Sequence, residues 1–226
     1  MNENKAGKYL KYALGEISLV VIGILIALSL NNWNQDRIEK DKAYSYLSQI
    51  QEELKADEVY FDILIGKTDN FIKSIKNAVN SNFVNDTTLP NIGKSLTFNT
   101  DKREFGRTYQ SMESSGLLQL IEEKGLIRKL DDYYRVPCKR FNDLAEYHKQ
   151  FMTLNIEGVL IHRLSYNENG RLSTESLRSD YESGKLVSIL NWQLYILSRV
   201  KEDSESCRKL AHELQVLIKK ETITHQ

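Results

Sequence analysis

The longest run of apolar positions lies near the start of the chain. From Ile17 to Leu30 there is no charged residue, and aromatic side chains flank the run at Tyr12 and Trp33. As a helix, the stretch from Tyr12 to Trp33 would measure about 31 Å, close to the roughly 30 Å hydrocarbon core of a bilayer. Aromatic residues are also enriched at both membrane interfaces. The pattern therefore predicts a single transmembrane helix at residues 12–34.

Two other interpretations of this run stay open. A lysine-bearing start followed by a short apolar core is typical of a cleavable signal peptide, and Ala27-Leu28-Ser29 could serve as a cleavage site. A buried core helix is the other alternative, although its surface would then be apolar on nearly all sides. No residue soon after Leu30 breaks the helical pattern, which continues through the charged residues 36–40. We therefore favour an uncleaved anchor.

The charges that flank the predicted span bear on its orientation. Three basic residues precede it and three follow it closely: Lys5, Lys8 and Lys11, then Arg37, Lys40 and Lys42. Because cytoplasmic flanks carry an excess of basic residues, this count alone is a tie. The free amino terminus adds a charge to the tail, and acidic residues are interleaved with the downstream basic ones. We therefore expect residues 1–11 to be a cytoplasmic tail, and residues 35–226 to be a periplasmic domain of an inner-membrane protein.

A second periodic pattern follows the predicted span. Apolar residues recur there at steps of three, four and seven: Leu47, Ile50, Leu54, Phe61, Leu64, Phe71, Ile75 and Ala78. This spacing is typical of a long amphipathic helix or a coiled coil. It predicts a helical stalk that runs from the membrane to about Asn80. Residues 80–103 lack strong periodicity and are interpreted as a connector.

Two further long helices are indicated in the rest of the chain, and short helices punctuated by Gly116 and Gly125 are indicated before Pro137. One is outlined by Phe141, Leu144, Tyr147, His148, Phe151, Leu154 and Val159, and the last by Leu190, Leu194, Leu197, Val200, Cys207, Ala211, Leu214 and Ile218. A polar loop, YNENGRLSTES, separates them. The elements predict an all-α fold, in which an N-terminal transmembrane helix continues into a long stalk and an antiparallel helical bundle follows. The expected core includes Leu54, Phe61, Tyr133, Phe151, Trp192 and Leu214.

Composition supports helices and disfavours one class of partner. Only 2 prolines and 11 glycines occur in 226 residues, which suits long helices. The formal net charge is zero, so nucleic acid is not an expected partner. The two cysteines, Cys138 and Cys207, form no CxxC pair, and we interpret them as packing residues. A disulfide between them stays open, provided that the compartment is oxidising and their Cα atoms lie within about 7 Å.

The motifs of common enzymes are missing from the sequence. None of the four histidines has a glutamate three residues before it, and HExxH and GxSxG do not occur. The GKS at residues 93–95 lacks the first glycine of a phosphate-binding loop. We therefore expect no catalytic residue, no metal and no cofactor. A hydrolase with an unrecognised site is the alternative.

One stripe of the predicted span is a candidate interaction site. At about 100° per residue, Glu16, Gly23, Ala27 and Asn34 fall on nearly the same side of a helix. Gly23 and Ala27 have the small-xxx-small spacing that lets two helix backbones approach closely. A carboxylate near the hydrocarbon edge is costly unless it meets water or a polar partner. The stripe predicts self-association or docking on a partner helix, and headgroup-level placement of Glu16 is the alternative.

A short polar segment outside the span is the other candidate site. Glu113, Ser114, Ser115 and Gly116 interrupt apolar runs within YQSMESSGLLQLI, and they could form part of a ligand or partner pocket. The alternative is a helix cap, in which Ser114 or Ser115 caps the following helix and Gly116 permits close backbone approach.

Two segments carry a resemblance to a known family. They are KYLKYALGEISLVVIGILIALSLNNWN at residues 8–34, and TYQSMESSGLLQLI followed by LDDYY within residues 108–134. Together they resemble an uncharacterised family of single-pass membrane proteins of Bacteroidetes, whose members begin the span with Gly-Glu-Ile and end it with Asn-Asn-Trp-Asn. Ser29 departs from that pattern, in which glutamine is more common. The resemblance implies an inner-membrane anchor and a helical domain, with no assigned activity.

These patterns lead to one functional hypothesis. The chain is expected to be held in the lipid bilayer and to act by binding, as a scaffold, an assembly partner or a sensor input. The expected partner is another protein or a second copy of the chain. An exposed apolar groove would favour binding, whereas converging carboxylates, histidines or hydroxyls in a pocket would favour the hydrolase.

Overall fold

The computed structural model describes residues 3–81, 89–166, 168–169 and 172–225, and confirms the all-α fold. The helices are α1 (Glu3–Asn80), α2 (Leu89–Thr97), α3 (Arg107–Ser114), α4 (Lys124–Arg135), α5 (Pro137–Phe151), α6 (Glu157–His162), α7 (Thr174–Glu182) and α8 (Lys185–His225). A 3₁₀ turn at Leu117–Leu120 follows α3, and a π-helical turn at Met152–Ile156 joins α5 to α6. Within the described ranges, the β-structure is limited to an isolated bridge between Tyr166 and Leu172.

Helix α1 contains both the apolar run and the stalk. Its 78 residues correspond to a rod of about 117 Å, and the helix is long and apolar enough to cross a membrane. The side chains of residues 9–39 are all exposed. Nothing in the part of the chain that the structure describes covers the apolar run, so the buried-core interpretation of that run was wrong.

From Ala43 onward, α1 packs lengthwise against α8. Buried α1 residues follow one another at steps of four and three: Ala43, Leu47, Ile50, Leu54, Asp57, Phe61, Leu64 and Thr68. The two helices are antiparallel, because higher-numbered residues of α1 contact lower-numbered residues of α8. Tyr44 contacts Glu221 (3.0 Å), Asp62 contacts Arg208 (2.6 Å) and Asp69 contacts Lys201 (2.8 Å). The bundle thus begins on the stalk itself.

Two apolar clusters fill the domain. The one nearer the apolar run is centred on Phe61, whose ring lies 5.2 Å from that of Phe141 at 88° and 5.7 Å from that of Phe105. The second cluster lies at the far end, where α2 packs against α1, α7 packs against α8, and α6 packs against the π turn. Phe151 is half-buried and contacts both clusters. Of the other predicted core residues, Leu54, Tyr133 and Leu214 are buried.

Two apolar residues were assigned to the wrong side of their helices. Trp192 is 45 % exposed, because it lies two residues beyond the buried Leu190 and therefore about 200° around α8. Leu154 is 79 % exposed. The buried positions on α5 and the π turn advance by four residues through His148, Met152 and Ile156, so the core-facing stripe turns away from Leu154.

The predicted connector contains a helix. Ile92 and Leu96 are buried, and α2 packs against α1. The nine residues of α2 hold too few apolar positions to reveal a helical period in the sequence. Residues 82–88 of the connector lie outside the described residues.

The packing around Phe61 predicts a large effect of its removal. Phe61→Ala should lower the free energy of unfolding by about 3–5 kcal/mol, because the side chain is fully buried between two aromatic rings. Denaturant melts of the detergent-solubilised chain measure this. Val59→Ala is the matched control, since Val59 is 55 % exposed on the same helix, and it should change stability by less than about 0.5 kcal/mol. Equal effects of the two substitutions would contradict the assigned core face.

Candidate functional site

The stripe on the apolar run is fully accessible. Glu16, Gly23, Ala27 and Asn34 are all exposed, and a side-chain carbon added at Gly23 would meet no atom within 4 Å. Asn34 accepts a hydrogen bond of 3.2 Å from the Arg37 guanidinium. Because residues 16–34 form one unbroken helix, the four positions do lie along one side of it. Whether a partner helix docks there stays a prediction.

The segment from Glu113 to Gly116 ends α3 and is exposed. The hydroxyls of Ser114 and Ser115 donate to the carbonyl of Ser111 at 3.1 and 2.9 Å, so they satisfy the end of the preceding helix and do not cap the next one. Gly116 has φ 73°, and a side-chain carbon there would meet no atom within 4 Å. Its role is therefore the left-handed turn that starts the 3₁₀ turn, and the expected close backbone approach was wrong.

Glu113 ties this segment to α4. The Arg135 guanidinium donates to Glu113 at 2.5 Å and also to Asp131. A ligand or partner role for residues 113–116 stays a prediction.

An apolar groove lies between the α4–α5 junction and α8. It measures about 320 Å³, and its floor and walls are formed by Tyr133, Val136, Pro137, Leu210, Leu214 and Leu217. Lys129, Asp132 and Glu213 form the rim. Val136 is 58 % exposed, directly before the buried Pro137. This is a concave apolar surface of the kind that the binding hypothesis requires.

A second apolar surface lies towards the far end of the domain. The Trp192 indole donates to the Tyr147 hydroxyl at 2.9 Å, and its ring lies 5.2 Å from that of Tyr195. All three side chains are at least 43 % exposed. We call these residues the aromatic cluster. Exposed aromatic residues that are held in place by one another are typical of protein interfaces.

A small charged cleft separates α1 from the segment before α3. It measures about 210 Å³ and is lined by Glu53, Ala56, Asp57, Arg103, Glu104, Gly106 and Arg107. Its deepest charged residue is Asp57, which is buried. One carboxylate oxygen accepts from Arg103 at 3.0 Å, and the other accepts from the Tyr133 hydroxyl at 3.4 Å. Burial raises the pKa of Asp57 to about 6, although Arg103 opposes the change.

Arg103 is fixed in the cleft by its neighbours. Its guanidinium lies 4.7 Å from the ring centre of Tyr60, and its backbone exchanges two hydrogen bonds of 2.9 Å with the Asn142 side chain. Gly106 has φ 67°, and a side-chain carbon there would lie only 2.7 Å from the ring of Tyr134. These contacts attach the segment before α3 to both α1 and α5.

Glu53 has a structural role at the edge of the cleft. Its carboxylate accepts from the Thr108 hydroxyl at 2.6 Å and from the Thr108 backbone N–H at 3.3 Å. Thr108 lies in the first turn of α3, where backbone N–H groups lack partners within the helix. Glu53 therefore caps α3 from a different helix.

The far-end core contains a buried polar network around His148. His148 and Gln193 have no exposed surface, and Thr100 is 2 % exposed. Gln193 donates to the carbonyls of Ser95 and Phe98, which leaves its oxygen to accept from His148 Nε2 at 3.3 Å. His148 Nδ1 must then accept from the Thr100 hydroxyl at 3.0 Å. Burial lowers the pKa of this neutral imidazole to about 4.

Metal ligands do not converge in the described part of the chain. No group of three or more His, Cys, Asp or Glu side chains there could hold a metal ion. The sequence-based search also missed the polar roles of Asp57 and His148, which are two of the buried ionisable groups of the domain interior. A signal for both was present, since Asp57 occupies a seam position between Leu54 and Phe61, and His148 shares a face with Phe141.

One comparison with known proteins bears on this arrangement. A family model described as a family of unknown function (DUF6090) matches residues 16–97. Over this range the chain resembles a family without an assigned function. The match extends from the apolar run to the last residue of α2 and covers about a third of the chain. The resemblance in residues 108–134 lies outside it. No curated protein and no solved structure matches the chain.

The buried state of His148 predicts a specific acid sensitivity. An unfolded histidine has a pKa of about 6.5, whereas His148 has a pKa of about 4 in the folded chain. Between these values the unfolded state binds a proton that the folded state does not bind. The contribution of neutral His148 to the free energy of unfolding is therefore fully present above pH about 6.5. It decreases as the pH falls towards 4, by about 3 kcal/mol in total.

The test compares unfolding free energies of wild type and His148→Gln from pH 7.5 to 4. The measured quantity is the difference in unfolding free energy between the two proteins. The raised pKa of Asp57 increases stability as the pH falls below about 6, and this effect is common to both proteins and cancels in the difference. The stability advantage of wild type should shrink on acidification. His162→Gln, at an exposed histidine, should leave the pH dependence unchanged. Parallel curves for wild type and His148→Gln would contradict the prediction.

Proposed function

We propose that this chain is a single-pass inner-membrane protein, with residues 1–11 in the cytoplasm, residues 12–34 in the bilayer and residues 35–226 in the periplasm. We also propose that the domain acts by binding a protein partner. The observation that carries this proposal is the continuity of α1, in which an uncovered apolar run and one long side of the domain core belong to the same helix.

Continuity has a mechanical consequence. A helix that is unbroken from residue 9 to residue 80 contains no flexible linker between the bilayer and the bundle. Packing of α8 along residues 43–78 stiffens the upper part of this rod. A partner bound to the domain would therefore be held at a set height and orientation, which suits a scaffold, an assembly partner or a sensor input.

The exposed surfaces support a binding role. Asp69 of α1 contacts Lys201 of α8, and Trp192 precedes Lys201 by nine residues. Because the helices are antiparallel, the aromatic cluster lies opposite the end of α1. It would stand about 65 Å above Asn34 along the helix axis, beyond the reach of lipid. Tryptophan and tyrosine are enriched among the residues that dominate interface energies. The apolar groove offers a second, concave surface on the same domain.

The pairing of α1 with α8 is proposed to be an antiparallel coiled coil. The seam residues on α8 also advance by four and three through Leu186, Leu190, Gln193, Leu197, Val200, Ser204, Cys207, Ala211, Leu214 and Ile218, all of them buried. A repeat of 3.5 residues keeps a seam on one side of two supercoiled helices.

A hydrolase is the alternative function, and the charged cleft is the observation that favours it. A buried carboxyl with a pKa near 6 suits general acid–base chemistry. Both oxygens of Asp57 are already engaged by Arg103 and Tyr133, however, and Glu53 is engaged in capping α3. The cleft is therefore better explained as a structural junction.

The orientation is tested by reporter fusions after Gln226. Alkaline phosphatase fused there should be active, because it folds only outside the cytoplasm, and green fluorescent protein fused at the same place should be dark. The proposed topology would be overturned if the phosphatase fusion were expressed and stable but inactive, and the green fluorescent protein fusion were fluorescent. Release of the phosphatase domain from membranes would instead indicate signal-peptide cleavage at Ala27-Leu28-Ser29.

Self-association through the stripe is tested on the full chain in a bacterial two-hybrid assay. Gly23→Ile and Ala27→Ile should each reduce the signal at least fivefold, because a branched side chain would separate the two backbones. Glu16→Gln should reduce it if the carboxylate contacts a partner. Ser29→Ile is the control, since Ser29 lies about 160° to 200° around the helix from Ala27. Absence of a wild-type signal would exclude self-pairing, and equal effects of all four variants would exclude this stripe.

A further inference from the structure

The two cysteines come together in the core. Cys138, in the first turn of α5, is 1 % exposed, and Cys207, in the middle of α8, has no exposed surface. Both are free thiols. Both belong to the same buried cluster, in which the Cys138 thiol neighbours that of Cys207 and the Tyr133 hydroxyl. Two cysteines that are far apart in the sequence are therefore neighbours in the fold.

The register of α5 against α8 keeps the thiols opposite each other. The helices are antiparallel, and residues that fall along α5 meet residues that rise along α8. Tyr147 and His148 contact the adjacent residues Trp192 (2.9 Å) and Gln193 (3.3 Å), and Arg140, earlier on α5, contacts Asp203 (2.8 Å), later on α8. Cys138 and Cys207 are the next pair in this series. Their contact therefore belongs to the packing of two long helices and not to a loop.

Other uses of the thiol pair fit the surroundings poorly. Burial and the neighbouring Cys207 thiol raise the pKa of Cys138 well above its usual range, whereas a reactive cysteine needs an accessible, low-pKa thiolate. A zinc site would need additional ligands, and no cluster of three candidate ligands occurs among the described residues. The chemistry that remains open to two adjoining buried thiols is bond formation between them.

We propose that Cys138 and Cys207 form a structural disulfide that joins α5 to α8. The proposal rests on the proposed periplasmic placement of the domain, because disulfides persist in oxidising compartments. The bond would close a loop of about 70 residues that includes α6 and α7. It would hold together the register on which the His148 network and the aromatic cluster depend.

The oxidant is an external disulfide, and the reaction is two successive thiol–disulfide exchanges. The thiolate of one cysteine attacks a sulfur of the external disulfide, forms a mixed disulfide and releases one external thiol. The second cysteine then attacks the protein-bound sulfur and releases the second external thiol. The protein loses two protons and two electrons, which the two released thiols retain. Since both sulfurs are buried in the folded domain, the exchange occurs before α5 closes on α8.

The pairing is tested first in vitro with the full chain in detergent. Reduced protein is opened with mild denaturant, returned to native conditions in an oxidised-glutathione buffer, and checked for recovery of helical circular dichroism. Wild type should lose about 2 Da and resist alkylation until it is reduced. Its melting temperature should fall by about 5 to 15 °C on reduction. Cys138→Ala and Cys207→Ala should show no such fall. Refolded wild type that keeps two free thiols would overturn the proposal.

A second measurement separates the pairing from the proposed topology. Cells that express the full chain are quenched with acid and alkylated, and the fraction of disulfide-bonded protein is measured by a mass shift. Protein that is oxidised in the cell supports both proposals. Protein that pairs readily in vitro and yet is fully reduced in the cell would leave the pairing intact and overturn the periplasmic placement, which the phosphatase fusion checks independently.

Discussion

The antiparallel packing of α1 against α8 supports the rest of the domain. Neither helix could bury its apolar side alone, and the smaller helices are too short to form a core without them. Along the shared seam, buried residues of both helices follow one another from Ala43 and Ile218 near one end to Ala78 at the end of α1. The smaller helices then cover the sides of this pair, and the apolar groove and the aromatic cluster are formed where α4 and α5 meet α8.

The seam is not uniformly apolar, and its polar positions set the geometry around it. Asp57 attracts Arg103 and with it the segment that precedes α3, while Gln193 orients His148 and reaches the carbonyls of Ser95 and Phe98. A buried polar group without a partner is costly. Each such group therefore admits few arrangements of its neighbours, whereas an apolar contact would tolerate several. These two junctions fix where the irregular residues 98–106 lie on the helical pair.

In the proposed arrangement, one helix is both the membrane anchor and part of the domain core, and it couples the two parts of the molecule. In the proposed membrane arrangement, association of two spans through the stripe would bring two bundles into fixed relative positions, because α1 has no hinge between them. Conversely, a movement of the domain caused by a partner on the aromatic cluster would be transmitted through the continuous helix α1 to the apolar run. This coupling is a property of the helix itself and does not depend on the identity of the partner.

The all-α class, the long N-terminal helix and most of the apolar seam followed from the sequence, because helical periodicity is a local property that a sequence displays directly. The end of α1 at Asn80 was predicted for the same reason. Local patterns also identified the candidate stripe, since four positions on one helix keep their relation in any tertiary context. A short helix such as α2 was missed because nine residues contain barely two turns of pattern.

Only the tertiary structure decided which residues from different helices meet. The contact between Cys138 and Cys207, the pairing of Asp57 with Arg103 and the burial of His148 all depend on the register between helices, which no local period contains. The exposure of Trp192 was decided in the same way, because an aromatic residue is apolar enough for the core and its angle on α8 places it outside. Periodicity determines which side of a helix is apolar, and packing between helices determines what that side contacts.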